Sequence, residues 1–268
     1  MHFNIKGGTK FLLFGGFMQL KFLRNSLLAF GFLGAITSLG FAADCEETNC
    51  SSFRIGVGGA YHTLDGKEAS ISSTGGYLSF AARGILKQRL MSELSGKVGV
   101  GSAKASESYF ATLDEKPLSV FTEASFKIGL NISSKQLPLF VNAVYGWDNF
   151  STNTKDKGIG LSRELGGVEI EGFLPTRNNS KIEYLVGYYH FFAGNYLLQN
   201  DVSSKLGGTN YMIKASLGYA SNITPNLGFY IKAIGKYENM SASKLTATSV
   251  NYPASTNYVG MIELGFEL

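Results

Sequence analysis

The sequence predicts an all-β fold, an antiparallel transmembrane β-barrel, on three observations. Short apolar/polar alternations recur along it, the connections between them alternate in length, and the last run keeps period 2 to the final residue. The 33 glycines and a charged fraction of only 16% suit many short strands.

The formal charge of +4 suggests a basic protein, but the first 42 residues hold Lys6, Lys10, Lys21 and Arg24 and no acid. Without them 20 Lys and Arg face 20 Asp and Glu, which argues against nucleic acid as a partner. Residues 1–42 carry the three regions of a secretory signal. Lys21 and Arg24 are the basic part, Leu27 to Leu39 the apolar part, and Gly40 and Ala42 flank Phe41 as the small residues, with cleavage after Ala42. The alternative is an uncleaved anchor over Asn25 to Ala43. Translation is expected to start at Met18, leaving 1–17 as an extension upstream of it. Residues 43–51 form an N-terminal periplasmic segment whose Cys45 and Cys50 are expected to join in a local disulfide. That segment has too few ligands for a metal, and Asp44 before Cys45 does not suit a lipid anchor.

Over 52–268 the parity reads as ten strands, with eight the alternative count. The first sets Phe53, Ile55, Val57 and Tyr61 outward and Arg54 and His62 inward. The second and third alternate most weakly, with Leu78, Phe80, Leu94 and Val98 outward and Arg83, Glu93 and Lys97 inward. The fourth sends Val120, Phe126, Ile128 and Leu130 out and Glu123 and Lys127 in, and the fifth sends Val141, Tyr145 and Trp147 out and Asn142 and Asp148 in. The sixth is short, with Val168, Ile170 and Leu174 outward against Glu169 and Glu171. The seventh opposes Tyr184, Val186, Tyr188 and Phe192 to Lys181 and Glu183. Ile213, Leu217 and Tyr219 oppose Lys214 in the eighth, and Phe229, Ile231 and Tyr237 oppose Lys232 and Lys236 in the ninth. The tenth is the C-terminal strand, where Tyr258, Ile262, Leu264, Phe266 and Leu268 face Glu263 and Glu267 across the pleat.

Short connections follow the even strands ("GILKQR", "SSKQ", "PTRNNS", "NITPN"). Longer polar ones follow the odd strands, near 64–73, 103–117, 149–165, 194–208 and 239–256. That asymmetry belongs to a membrane barrel, and a soluble sandwich has no reason to impose it. Outward aromatics fall near both strand ends, Tyr61, Tyr145, Trp147, Tyr188, Phe192, Tyr211, Tyr237 and Tyr258 toward the long connections, and Phe53, Tyr184, Tyr219, Phe229 and Phe266 toward the short ones. The chain can stop inside an apolar strand if that strand faces lipid and closes against the first.

On these features residues 52–268 resemble small bacterial outer-membrane β-barrel proteins. The resemblance implies a Gram-negative outer-membrane location with periplasmic termini, and a final strand read by the barrel assembly machinery. Phe266 fits the antepenultimate aromatic, whereas Leu268 stands where Phe is usual.

Catalytic, cofactor and metal residues are expected to be absent. Ten-stranded barrels include the omptin proteases, whose rim bears paired aspartates and an Asp-His couple, and the sequence has no Asp-x-Asp or Asp-x-His. Of the histidines beyond residue 42, inward His62 is expected almost a barrel diameter from Asp148, too far for a dyad. Outward His190 with Ser162 and Glu164 is a remote candidate for lipid deacylation; the plainer reading makes His190 an interfacial residue. The lumen receives eight bases and eight acids, a balance that suits mutual pairing better than a selective pore. The expected function is a monomeric, non-enzymatic scaffold in outer-membrane lipid whose loops contact a host or cell-surface ligand. A narrow passive pore is the alternative.

Overall fold

The computed structural model describes residues 49–66, 70–105, 117–153, 159–176, 179–198, 202–244 and 252–268. Residues 1–42, expected as a signal, and Cys45 lie outside these, so the expected disulfide falls outside the described residues; Cys50 is the second residue of the first strand.

Eleven strands form: β1 (Asn49–Gly66), β2 (Ser70–Leu86), β3 (Leu90–Ala105), β4 (Leu118–Asn131), β5 (Leu139–Asn153), β6 (Ile159–Thr176), β7 (Ser180–Leu198), β8 (Val202–Lys205), β9 (Tyr211–Thr224), β10 (Leu227–Met240) and β11 (Ser255–Glu267). All neighbours are antiparallel, and the pairings β1–β11, β6–β7 and β7–β9 close ten strands into a ring. Strand β8 is an addition, a four-residue flap on the far end of β7. The closing seam runs to the last residue: Phe53 N donates to Leu268 O at 2.9 Å and Leu268 N donates to Phe53 O at 2.8 Å. No edge remains there to pair with another chain.

The outer face is apolar, with Leu217 61% and Ile262 60% exposed on mid-strand positions. Exposed aliphatics in continuous rows fit hydrocarbon, not water. Outward aromatics flank them. Tyr188 stacks on Tyr211 at 5.8 Å, Tyr211 lies 6.3 Å from Tyr237, and Tyr237 meets Tyr258 at 5.6 Å, a row across four strands at the long-connection end. Tyr219 and Phe229, 6.1 Å apart, mark the other end.

Two expectations need correction. The long connections are shorter than the polarity of the sequence suggests, because pairing runs far beyond the aromatic row. Strand β1 continues to Gly66, with Asp65 opposite Ser70, and β5 pairs with β6 as far as Thr152 and Ile159. A span needs about 9–11 residues, so the 18 of β1 and 19 of β7 carry the wall out of the bilayer, where polar residues can face water. The sixth strand is not short either, since it spans 18 residues. Its first half hides behind the run Ser162-Arg163-Glu164, in which all three side chains find hydrogen-bond partners.

Strand β7 also changes parity. Phe191 faces inward and Phe192 outward as expected, but Phe192 is an extra residue against the Glu164/Leu165 step, and beyond this bulge the parity reverses, so that the next clearly buried side chain is Tyr196.

A single substitution tests which solvent the outer face meets. Val186→Arg, on the exterior between Tyr184 and Tyr188, is expected to cost about 2–4 kcal/mol in a reversible lipid-bilayer unfolding titration, with Val186→Leu near neutral. Equal stability of the two variants would contradict a lipid-facing surface.

Candidate functional site

The interior is filled in layers. At the short-turn end Met91, Phe140 and Phe173 pack together with Ile85 beside them. Above them Arg54 grips Glu183 with two bonds, 2.7 and 2.6 Å, and reaches Glu267 at 2.7 Å, with Lys181 within 3.5 Å of both acids. Beside this group Arg83 donates to Glu93 at 2.7 Å and Glu171 at 2.5 Å. Lys127 lies 2.5 Å from Glu171, 3.2 Å from Glu93 and 3.4 Å from Glu169.

At mid-height Lys214 reaches Glu169 at 3.0 Å, and the Tyr189 hydroxyl donates to the same carboxylate. Lys236 lies 2.5 Å from Glu123, with Lys97 at 3.8 Å. Glu263 accepts from Tyr77 at 3.2 Å and Tyr230 at 2.9 Å. Lys232 has no carboxylate in ion-pair reach among the described residues; its ammonium lies 5.8 Å from the Tyr230 ring centre.

Nearer the long connections Arg163 holds Asp148 with two bonds, 2.7 and 2.9 Å, and Glu238 with two more, 2.5 and 3.1 Å, lying 4.3 Å over Phe191. Asn257 completes Glu238 at 3.1 Å. Neither Arg163 nor Glu238 was expected here from the sequence. Parity extended from Glu169 back to Arg163, and from Lys236 on to Glu238, would have found both. Adding them to the sixteen charges expected inside gives nine bases and nine acids, all placed in the lumen.

The lumen is less polar than its sequence pattern suggests. Leu64, Ile71, Ala103, Phe121, Phe150, Leu161, Tyr196 and Met240 are buried in one apolar cluster on the same inward face. All of these except Phe121, which sits in β4, lie where the expected loops would have been, so alternation was not read through them. The last connection folds over this cluster. Tyr252 stacks on Tyr196 with ring centres 4.0 Å apart, held by Ser243 N to Tyr252 O at 2.9 Å and Tyr252 N to Ser243 Oγ at 2.8 Å. Burial pushes the Tyr252 phenol up to about 12, which keeps the covering side chain neutral. Among the described residues the interior keeps cavities of about 60, 30 and 80 Å³, room for a few waters each.

His62 and Asp148 both line one of these cavities, together with Phe121, Phe150 and Lys236, and among the described residues no hydrogen bond joins them. The Asp148 carboxylate is occupied by Arg163, and the His62 ring packs 4.6 Å from Phe121. On the outer face Trp147 Nε1 donates to Ser162 Oγ at 3.1 Å and Tyr145 OH donates to Glu164 at 3.1 Å. Both polar groups on β6 therefore turn toward β5, while His190 belongs to β7, opposite Gly166.

No family model matches the sequence, and no curated protein does. Among solved structures, the outer-membrane protease OmpT from Escherichia coli is similar over 86% of this chain and 98% of its own, with a TM-score of 0.57 at 10% identity. The translocator domain of the autotransporter NalP from Neisseria meningitidis covers 90% of this chain and 97% of its own at 10% identity, but a TM-score of 0.45 is too loose to carry an argument. What the first likeness shares is the fold. This chain is a closed ten-stranded β-barrel of the outer-membrane type, with one further short strand.

Arg163 compensates two buried acids, so its removal is expected to cost more than the loss of any exposed ion pair. Arg163→Met leaves Asp148 and Glu238 unpaired and is predicted to lower unfolding stability by about 3–5 kcal/mol, with partial recovery in an Arg163→Met, Asp148→Asn, Glu238→Gln triple variant. A single variant as stable as wild type in urea unfolding would show that the network carries no such coupling.

Proposed function

We propose that this protein is an integral outer-membrane barrel that neither conducts nor catalyses, and that it holds its long-connection end outward as a contact surface for a host or cell-surface ligand. The short turns and both termini then face the periplasm. The observation that carries this reading is the filled lumen: charge pairs in successive layers, an apolar cluster above them, and Tyr252 folded over the cluster. A steady pore would have to break several of these buried pairs at once.

Support for the surface role comes from the strands that rise past the tyrosine row and expose Asp65, Lys104 and Lys205. A stiff wall lowers the entropy lost when the residues at its end are engaged. Neither catalytic pairing considered from the sequence is assembled, since Asp148 is held by Arg163, and Ser162 and Glu164 bond to β5. OmpT is a protease, but a shared fold says nothing of activity, and here Asp148, Ser162 and Glu164 are held in structural contacts.

Planar-bilayer recording of the purified full chain is the test of the closed lumen. We expect no stable conductance, and binding of whole cells expressing the protein to fall when residues 245–250 are shortened. Steady ohmic conductance from the unmodified protein, with cell binding unaffected by shortening, would replace this reading with that of a narrow pore.

A further inference from the structure

Glu164 is out of place on a wall built to face lipid. It projects from the outer side of β6 at the level of the tyrosine row, and no cation pairs with it among the described residues. A carboxylate at an interface is costly to hold unless something there favours its charge.

The surroundings of Glu164 are specific. Trp147 stands directly opposite it on β5, with its indole N–H on Ser162 at 3.1 Å, and Tyr145 donates to its carboxylate at 3.1 Å. On the other side Phe192, the last outward residue of β7 at its bulge, leans across β6 to lie 6.2 Å from Tyr145, ring centre to ring centre. The Phe192 ring passes over Gly166, where a Cβ would make only an ordinary contact at 3.5 Å. The hydrogen bond from Tyr145, the cross-strand place of Trp147 and the lean of Phe192 together give a carboxylate beside three aromatic rings.

From this geometry we infer that the outer face of β5–β7 binds the alkylammonium headgroup of a membrane lipid, of the ethanolamine or choline class. The carboxylate neutralises the cation, and the π faces of Tyr145, Trp147 and Phe192 attract it at the depth where headgroups lie. Tyr145 occupies one carboxylate oxygen by its hydrogen bond, which orients the group and leaves the other oxygen for the ligand. The residues that looked like fragments of a deacylase thus form a binding surface. The inference rests on the reading of this chain as a membrane barrel, because only insertion brings Glu164 to headgroup depth.

Trp147 is the single tryptophan of the chain, so its fluorescence reports on the site itself. The full chain in detergent micelles is titrated with a short-chain phosphatidylethanolamine, with the phosphatidylglycerol of equal chain length, and with free ethanolamine. We expect a saturable change in Trp147 emission with the first lipid, binding at least about tenfold weaker with the other two, and a loss of about tenfold in Glu164→Gln and in Phe192→Leu, which should keep the wild-type circular dichroism. Equal response to phosphatidylglycerol, or unchanged affinity in Glu164→Gln, would overturn the site. Free ethanolamine binding as tightly as the lipid would overturn the lipid as its source. Flotation of the protein with vesicles separates the two levels: failure to insert sinks the membrane reading, and insertion without the Trp147 response sinks this inference alone.

Discussion

Nine acids and nine bases enclosed by one continuous sheet form the constraint on which the rest of the molecule depends. A closed wall of ten strands leaves an interior that must be either wet or filled, and buried charges tolerate being filled when they find partners. Among the described residues all eighteen but Lys232 and Glu263 are in ion pairs, and Glu263 accepts from Tyr77 and Tyr230. Here partners come both from adjacent strands and from across the lumen. Arg54 on β1 reaches Glu183 on β7, and Arg163 on β6 reaches Glu238 on β10, so single ion pairs tie together strands that share no backbone bonds. The pairs work as struts, and the outer face is left free to be as apolar as lipid requires.

The apolar cluster at the long-connection end follows from the same closure. Where the wall leaves the bilayer its outside meets water, and its inside can no longer depend on a hydrophobic exterior for stability. Leu64, Ile71, Leu161, Tyr196 and Met240 then act as the core of a small soluble domain, with Tyr252 as its roof. The barrel thus resembles a membrane protein across the hydrocarbon and an ordinary packed protein above it.

Much of this was legible in the sequence, because period 2 is enforced wherever one face must meet lipid. Val186, Leu217 and Ile262 announce the exterior, and the charges at Arg54, Lys127, Glu169 and Glu263 announce the interior. Legibility failed where the environment outside changed from lipid to water, since Thr63, Asp65 and Ser162 are polar on the outer side and break the contrast between faces. Arg163 and Glu238 were lost in those segments, and with them the ion-pair cluster around Arg163. The bulge at Phe192 was not legible at all, because one extra residue reverses parity without changing composition. Side-chain reach was the other gap: His62 and Asp148 line one cavity, and strand number alone does not say how far side chains project toward the axis.

The central claim is that the lumen is packed, and solvent access to its middle tests it most directly. In a Cys45→Ser, Cys50→Ser background, a cysteine is introduced by Ser79→Cys, at a buried mid-lumen position, and the barrel is reconstituted in vesicles and exposed to a small charged thiol reagent. The account predicts that this thiol stays unmodified until the protein is unfolded, while a thiol from Thr256→Cys, at the long-connection rim, reacts promptly. Rapid modification at position 79 in the folded barrel would contradict it, because the reagent can reach that thiol only through water.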